Sequence, residues 1–130
     1  MDSKRPGPVR ILVVDDHREA AELLAEYLTD EGFEVQRAAD GEGALLLAVS
    51  FAPQVVLLDI GLPRMSGLEV ARRLRELPGT RDSLLIALTG YNLAEERDAS
   101  RLAGFDRHLL KPIDLEELKS VIAFGRPDQP

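Results

Sequence analysis

Five polar residues stand directly after apolar runs, and their types together describe a site for a phosphoryl group. Asp15 and Asp16 follow ILVV (Ile11 to Val14), Asp59 follows VVLL (Val55 to Leu58), Thr89 follows LLIAL (Leu84 to Leu88), and Lys111 follows the segment Arg107 to Leu110. Two carboxylates about 4 Å apart repel by roughly 4 kcal/mol at an effective dielectric of about 20, so three brought together cannot all stay ionised unaided. Lys111 cancels one charge. The remainder, about −2, matches a hard divalent cation held through oxygen, and Mg²⁺ is the usual ion where waters and an incoming phosphate complete the shell. In such a site the metal and Lys111 offset charge on the phosphoryl oxygens, a carboxylate attacks in line, and Thr89 hydrogen-bonds the product.

These residues meet only if the elements before them lie side by side. The three clear runs are apolar at every position, which marks strands buried on both faces, as in a parallel sheet covered by helices. Glu34 to Ala38 and Arg107 to Leu110 complete a set of five. Between the first two strands, Ala20, Leu23, Leu24, Tyr27, Leu28 and Glu31 follow helical spacing, Asp16 with Glu19 predicts a capping box, and Gly32 marks the stop. A second helix is predicted from Glu42 to Ser50, ending before Pro53, and a third from Leu68 to Leu77 with Val70, Ala71, Leu74 and Leu77 toward the sheet. The fourth, Ala94 to Ala103, offers only Ala94, Ala99 and Leu102 as a stripe, so it should pack weakly and open readily. The last, Leu115 to Ala123, places Leu115, Leu118 and Ile122 on one face with Val121 beside them. Five strands and five helices in strict alternation predict an α/β fold with right-handed crossovers and a five-stranded parallel, doubly wound sheet. Chemistry in such a sheet belongs at the carboxyl ends of the strands, which is where all five polar residues fall.

Composition narrows the function classes. The 130 residues suit one domain, with an ordered core expected over 9–125 and flexible tails at 1–8 and 126–130. There is no cysteine, so a disulfide framework, a thiolate metal site and a cysteine nucleophile are all excluded. The net charge of −7 opposes direct nucleic-acid binding and attachment to anionic lipid. The apolar runs are far shorter than the roughly 20 residues of a membrane span, and a cytoplasmic location is expected.

The strings ILVVDDHREA, VVLLDIGLPRMSG, LTGY and GFDRHLLKP, in this order and spacing, resemble the receiver domain of two-component response regulators over Val9 to Ala123. In style they are most similar to receivers of hybrid sensor histidine kinases. The resemblance implies a flavodoxin-like fold with Asp59 as the phospho-accepting nucleophile. It also implies Mg²⁺ bound by Asp16, Asp59 and the backbone carbonyl of Gly61, with Asp15 supporting the metal through water. Thr89 and Lys111 would contact the phosphoryl group, and the Lys111–Pro112 peptide would be cis. The implied donor is a phosphohistidine on a histidine kinase or histidine phosphotransfer protein. The implied output is a shift of the face made by the fourth helix, fifth strand and fifth helix, which is also the expected surface for a homodimer. Where the family usually carries a Tyr or Phe switch residue, this chain has His108, which on a strand points away from Leu109 and Lys111. The variable positions beside Asp59 and Thr89 are Gly61 and Tyr91.

Three functional classes follow. The first is a phospho-accepting switch, not a turnover enzyme, that controls a partner. The second is a phosphorylation-independent pseudo-receiver, which has no need of three mutually repelling carboxylates. The third is a Mg-dependent aspartate-nucleophile phosphatase, whose usual Asp-x-Asp is replaced here by Asp59, Ile60, Gly61. No effector domain is expected after the last helix, and a stand-alone regulator, a relay intermediate and a piece of a hybrid kinase all fit these residues.

Overall fold

The computed structural model describes residues 7–90 and 94–124. Tyr91, Gly125 and the expected tails, apart from residues 7 and 8, lie outside them. The element order is β1 (Arg10–Val14), α1 (Arg18–Asp30), β2 (Glu34–Ala38), α2 (Gly41–Phe51), β3 (Val55–Asp59), α3 (Gly67–Glu76), β4 (Leu84–Thr89), α4 (Ala94–Ala103), β5 (Arg107–Leu110) and α5 (Leu115–Phe124). All five strands pair in parallel in the order β2-β1-β3-β4-β5. The chain leaves β1 toward β2 on one side and returns to β3 on the other, so the order reverses between β1 and β3 and opens a crevice beyond their carboxyl ends.

Alternation along the buried strands sends side chains to two cores. Leu12, Val14, Val56, Leu58, Leu85 and Ala87 pack with Ala44 and Ala48 of α2, Val70, Ala71 and Leu74 of α3, and Ala103 of α4. Ile11, Val13, Val55, Leu57, Ile86, Leu88 and Leu109 pack with Ala21 and Leu28 of α1 and Leu118 of α5. Leu77 lies past the end of α3 and is only partly buried against the first core.

Local chemistry sets the helix ends. Asp40 accepts the Gly43 N–H at 2.8 Å and starts α2, Ser66 accepts that of Glu69 at 3.3 Å and starts α3, and Asp114 accepts those of Glu116 and Glu117 at the head of α5. Gly32 and Gly104, with φ of +103° and +113°, turn the chain out of α1 and α4.

Two expectations about α1 are corrected. Its N-cap is His17, with no side-chain cap, so Asp16 and Glu19 form no capping box. The helix starts one residue later than that box requires, because the Asp15 carboxylate takes the His17 N–H at 2.9 Å. The buried stripe is Ala21, Leu24 and Leu28 with Tyr27; Ala20 is exposed and Leu23 is 67% exposed. Residues 20, 24 and 28 and residues 21, 24 and 28 satisfy helical spacing equally well, and the direction in which α1 leaves β1 selects the second set.

In α4 the anticipated anchor Leu102 is 86% exposed, while Ser100 and Ala103 are buried and Ala99 is half-buried. The Ser100 hydroxyl has no hydrogen-bond partner among the described residues, and burying such a group costs about 1–3 kcal/mol. The side chain of the expected anchor Ala94 lies outside the described residues; among those described, a methyl group and an unsatisfied hydroxyl hold α4 less firmly than the leucine Leu28 holds α1. Amide hydrogens in α4 are therefore expected to exchange faster than those of α1 by at least about tenfold, read by hydrogen–deuterium exchange with mass spectrometry; equal protection would contradict this packing argument.

Candidate functional site

The crevice between β1 and β3 gathers the acidic residues. Asp15 continues β1 and its backbone N–H donates to Ala38 of β2, while Asp59 is the last residue of β3; both side chains are almost fully buried. Lys111 follows β5, and its backbone N–H donates to the Thr89 carbonyl at 2.8 Å, which registers the lysine against the end of β4. From there its Nζ lies 3.1 Å from Asp59 Oδ2 and 3.3 Å from Asp15 Oδ2. The Lys111–Pro112 peptide is cis, as the resemblance implies.

Each carboxylate oxygen pointing into the protein has a donor. Asp59 Oδ1 accepts the Gly61 N–H at 2.9 Å, and Asp15 Oδ1 accepts the N–H of His17 and approaches its ring Nδ1 at 3.0 Å. Burial opposes charge on Asp15, yet the His17 donors and the Lys111 ammonium outweigh it and hold the carboxyl below its ordinary value. Burial also opposes charge on Lys111, but the bond to Asp59 and the charges of Asp15 and Asp59 hold the ammonium above its ordinary value. The lysine is thus held as a cation against the Asp15 carboxylate and in contact with Asp59.

Asp16 is more exposed and stands at the mouth. Asp15, Asp16, Asp59 and His17 each offer one ligand atom, and these atoms lie within 4.8 Å of one another. Three hard oxygen donors so grouped could hold a divalent cation, and an ammonium stands beside them. Thr89 is buried at the end of β4, beside the strand that carries Asp59. His108 sits opposite Ala87 in the β4–β5 register, on the side of the sheet covered by α4. It belongs to the other face from buried Leu109, as strand alternation requires.

Two residues of this region were not singled out by strand-end reasoning. His17 enters the site although it belongs to the helix cap; the signal was its place directly after the Asp15–Asp16 pair. Gly67 begins α3, where a Cβ would lie 2.6 Å from the Asp59 carbonyl oxygen and 2.7 Å from Ile60 Cα. Its N–H donates to the Ile60 carbonyl at 3.0 Å, so α3 starts pressed against the backbone that carries Asp59. No local pattern marks that approach, which closes a loop over MSG at Met65 to Gly67.

Residues 11–123 match the family described as the response regulator receiver domain. The response regulator MprA of Mycolicibacterium vanbaalenii is 47% identical over 112 residues, covering 85% of this chain and 47% of the relative. The chain therefore spans about half the length of the curated relatives it matches. Among solved structures, the chemotaxis protein CheY4 of Vibrio cholerae superposes with a TM-score of 0.88 at 27% identity, over 92% of this chain and 99% of that one. A response regulator from Burkholderia pseudomallei, described with a phosphorylated aspartic acid, a calcium ion and citrate, gives 0.80 at 28% identity, over 86% and 65%.

The close approach at Gly67 has a measurable consequence. Gly67→Ala is expected to lower unfolding free energy by about 1–3 kcal/mol, because backbone on both sides must move. At Gly61 a Cβ would stand 3.6 Å from Asp59 Oδ1, so Gly61→Ala is expected to cost less than about 1 kcal/mol. Urea unfolding of both variants checks the contrast, and equal costs would contradict it.

Proposed function

The chain belongs to the response regulator receiver domains of two-component systems, and from that membership we propose that it accepts a phosphoryl group on Asp59 in a Mg²⁺-dependent reaction. The donor is a phosphohistidine on a histidine kinase or histidine phosphotransfer protein. The observation that carries the reading is the contact of one ammonium, Lys111 Nζ, with the two buried carboxylates of Asp15 and Asp59 at the switch point of the sheet. The calcium ion and phosphorylated aspartic acid of the Burkholderia relative support the same chemistry.

In the transfer, a carboxylate oxygen of Asp59 forms the new O–P bond as the donor's P–N bond breaks. That bond's electron pair goes to the donor imidazole nitrogen, which takes a proton from solvent. Asp15, Asp16, Asp59 and the backbone carbonyl of Gly61 would hold the Mg²⁺, which when bound supplies positive charge opposite the phosphoryl oxygens. Lys111 balances Asp59 before transfer and meets the phosphoryl oxygens after it. The Gly61 N–H orients the Asp59 carboxylate by binding its Oδ1, and the Thr89 hydroxyl bonds the product.

As a switch, and not a turnover enzyme, the domain would report phosphorylation through Thr89 and His108 to the face formed by α4, β5 and α5. The loosely anchored α4 suits an element with two arrangements of similar free energy.

Incubation with Mg²⁺ and acetyl phosphate, followed by intact mass measurement, is expected to show the gain of one phosphoryl group. The gain should disappear in Asp59→Asn and in excess chelator. No gain from acetyl phosphate or from phosphohistidine donor proteins, with the native fold retained, would instead favour a phosphorylation-independent binding module.

A further inference from the structure

His17 is exposed over 69% of its side chain, yet its ring Nδ1 is turned into the acidic crevice, 3.0 Å from Asp15 Oδ1, 3.5 Å from Asp16 Oδ1 and 3.9 Å from Asp59 Oδ2. The contact with Asp15 and the charge of Asp16 favour that position for the ring. An octahedral ion with bonds of about 2.1 Å holds adjacent ligands about 3.0 Å apart and opposite ones about 4.2 Å apart. The three His17 distances lie between those two values, and the four candidate atoms stand within 4.8 Å of one another, so small side-chain shifts would bring the nitrogen and the three oxygens onto a single ion. The backbone contributes to this placement: the His17 N–H donates to the same Asp15 oxygen at 2.9 Å and fixes the residue at the mouth of the site.

We propose that His17 Nδ1 is a direct ligand of borderline divalent ions such as Co²⁺ in this pocket, holding them more tightly than its carboxylates alone would. The inference rests on the reading of the rim as a metal site. Imidazole suits late first-row ions, whereas Mg²⁺ prefers oxygen and keeps its waters. Mg²⁺ would accordingly be held by the carboxylates with His17 turned aside, and Co²⁺ with His17 engaged. Co²⁺ ligation needs an Nδ1 without a proton, so an imidazolium ring would release one proton to solvent, whereas a neutral ring would keep its single proton on Nε2.

The chain has only two histidines, and His108 lies on the α4 side of the sheet, which makes the assignment open to direct observation. Calorimetric titration of the untagged native protein with Mg²⁺ and with Co²⁺ is to be compared with His17→Ala and His17→Gln. In both variants Co²⁺ affinity is expected to fall about tenfold or more while Mg²⁺ affinity stays within about twofold. The Co²⁺-loaded native protein should also show one strongly shifted, exchangeable ring N–H proton by NMR, absent from both variants. Unchanged Co²⁺ affinity in the variants, or no such proton in the native protein, would overturn the assignment while Mg²⁺ binding left the metal site standing. Failure of the native protein to bind either ion would overturn both.

Discussion

Three carboxylates crowded at one end of a sheet repel one another, and the arrangement holds only because cationic and donor groups are brought to them from distant parts of the chain. Lys111 comes from beyond β5 to reach Asp15, 96 residues away, and Asp59, 52 residues away. The fold exists to make that meeting rigid. β3 and β4 are buried along their whole length and β1 from Ile11 onward, and the Thr89 carbonyl binds the Lys111 backbone so that the lysine cannot drift from the strand ends. A site built this way holds more negative charge than its own protein groups offset. Such an excess would let it gather a divalent cation and a phosphoryl group together, as the proposed reaction requires.

Rigidity is not uniform around this centre. The side toward α3 and β4 is tied by Arg75, whose guanidinium donates to the carbonyls of Arg81, Ser83 and Gly104 and to the Asp106 carboxylate, which itself accepts the Leu85 N–H. That clamp holds the start of β5 and the exit of α4, while the described residues of α4 turn only Ser100 and Ala103 fully inward and leave Leu102 in solvent. Under the proposed function, a firm support beside such a helix would let a change at Asp59 be expressed at one surface.

Much of this was legible in the sequence, for physical reasons that can be named. Strands buried on both faces leave unbroken apolar runs, and residues directly after those runs must fall on one rim, so Asp15, Asp16, Asp59, Thr89 and Lys111 were located by pattern alone. The face of α1 was not, because residues 20 and 21 compete for the same helical stripe and only the angle of departure from β1 decides. Leu102 misled because apolar character was taken as burial, when the helix turns Ser100 and Ala103 inward. Arg75 and Gly67 act through contacts with backbone far away in sequence or across a loop, and nothing in their neighbours announces such contacts. His17 was left out because the helix cap was assigned to Asp16 and the rim was counted by strand ends, while the crevice also includes the first turn that leaves β1.

The central claim is that the uncompensated charge of this rim is there to hold a divalent cation. Thermal unfolding of the chelator-treated protein across a Mg²⁺ titration tests it most directly, since an ion that binds only the folded state must raise the midpoint as its concentration rises. The account predicts a steady rise in the native chain and little or none in Asp16→Asn. A midpoint that ignores Mg²⁺ in the native chain would contradict it.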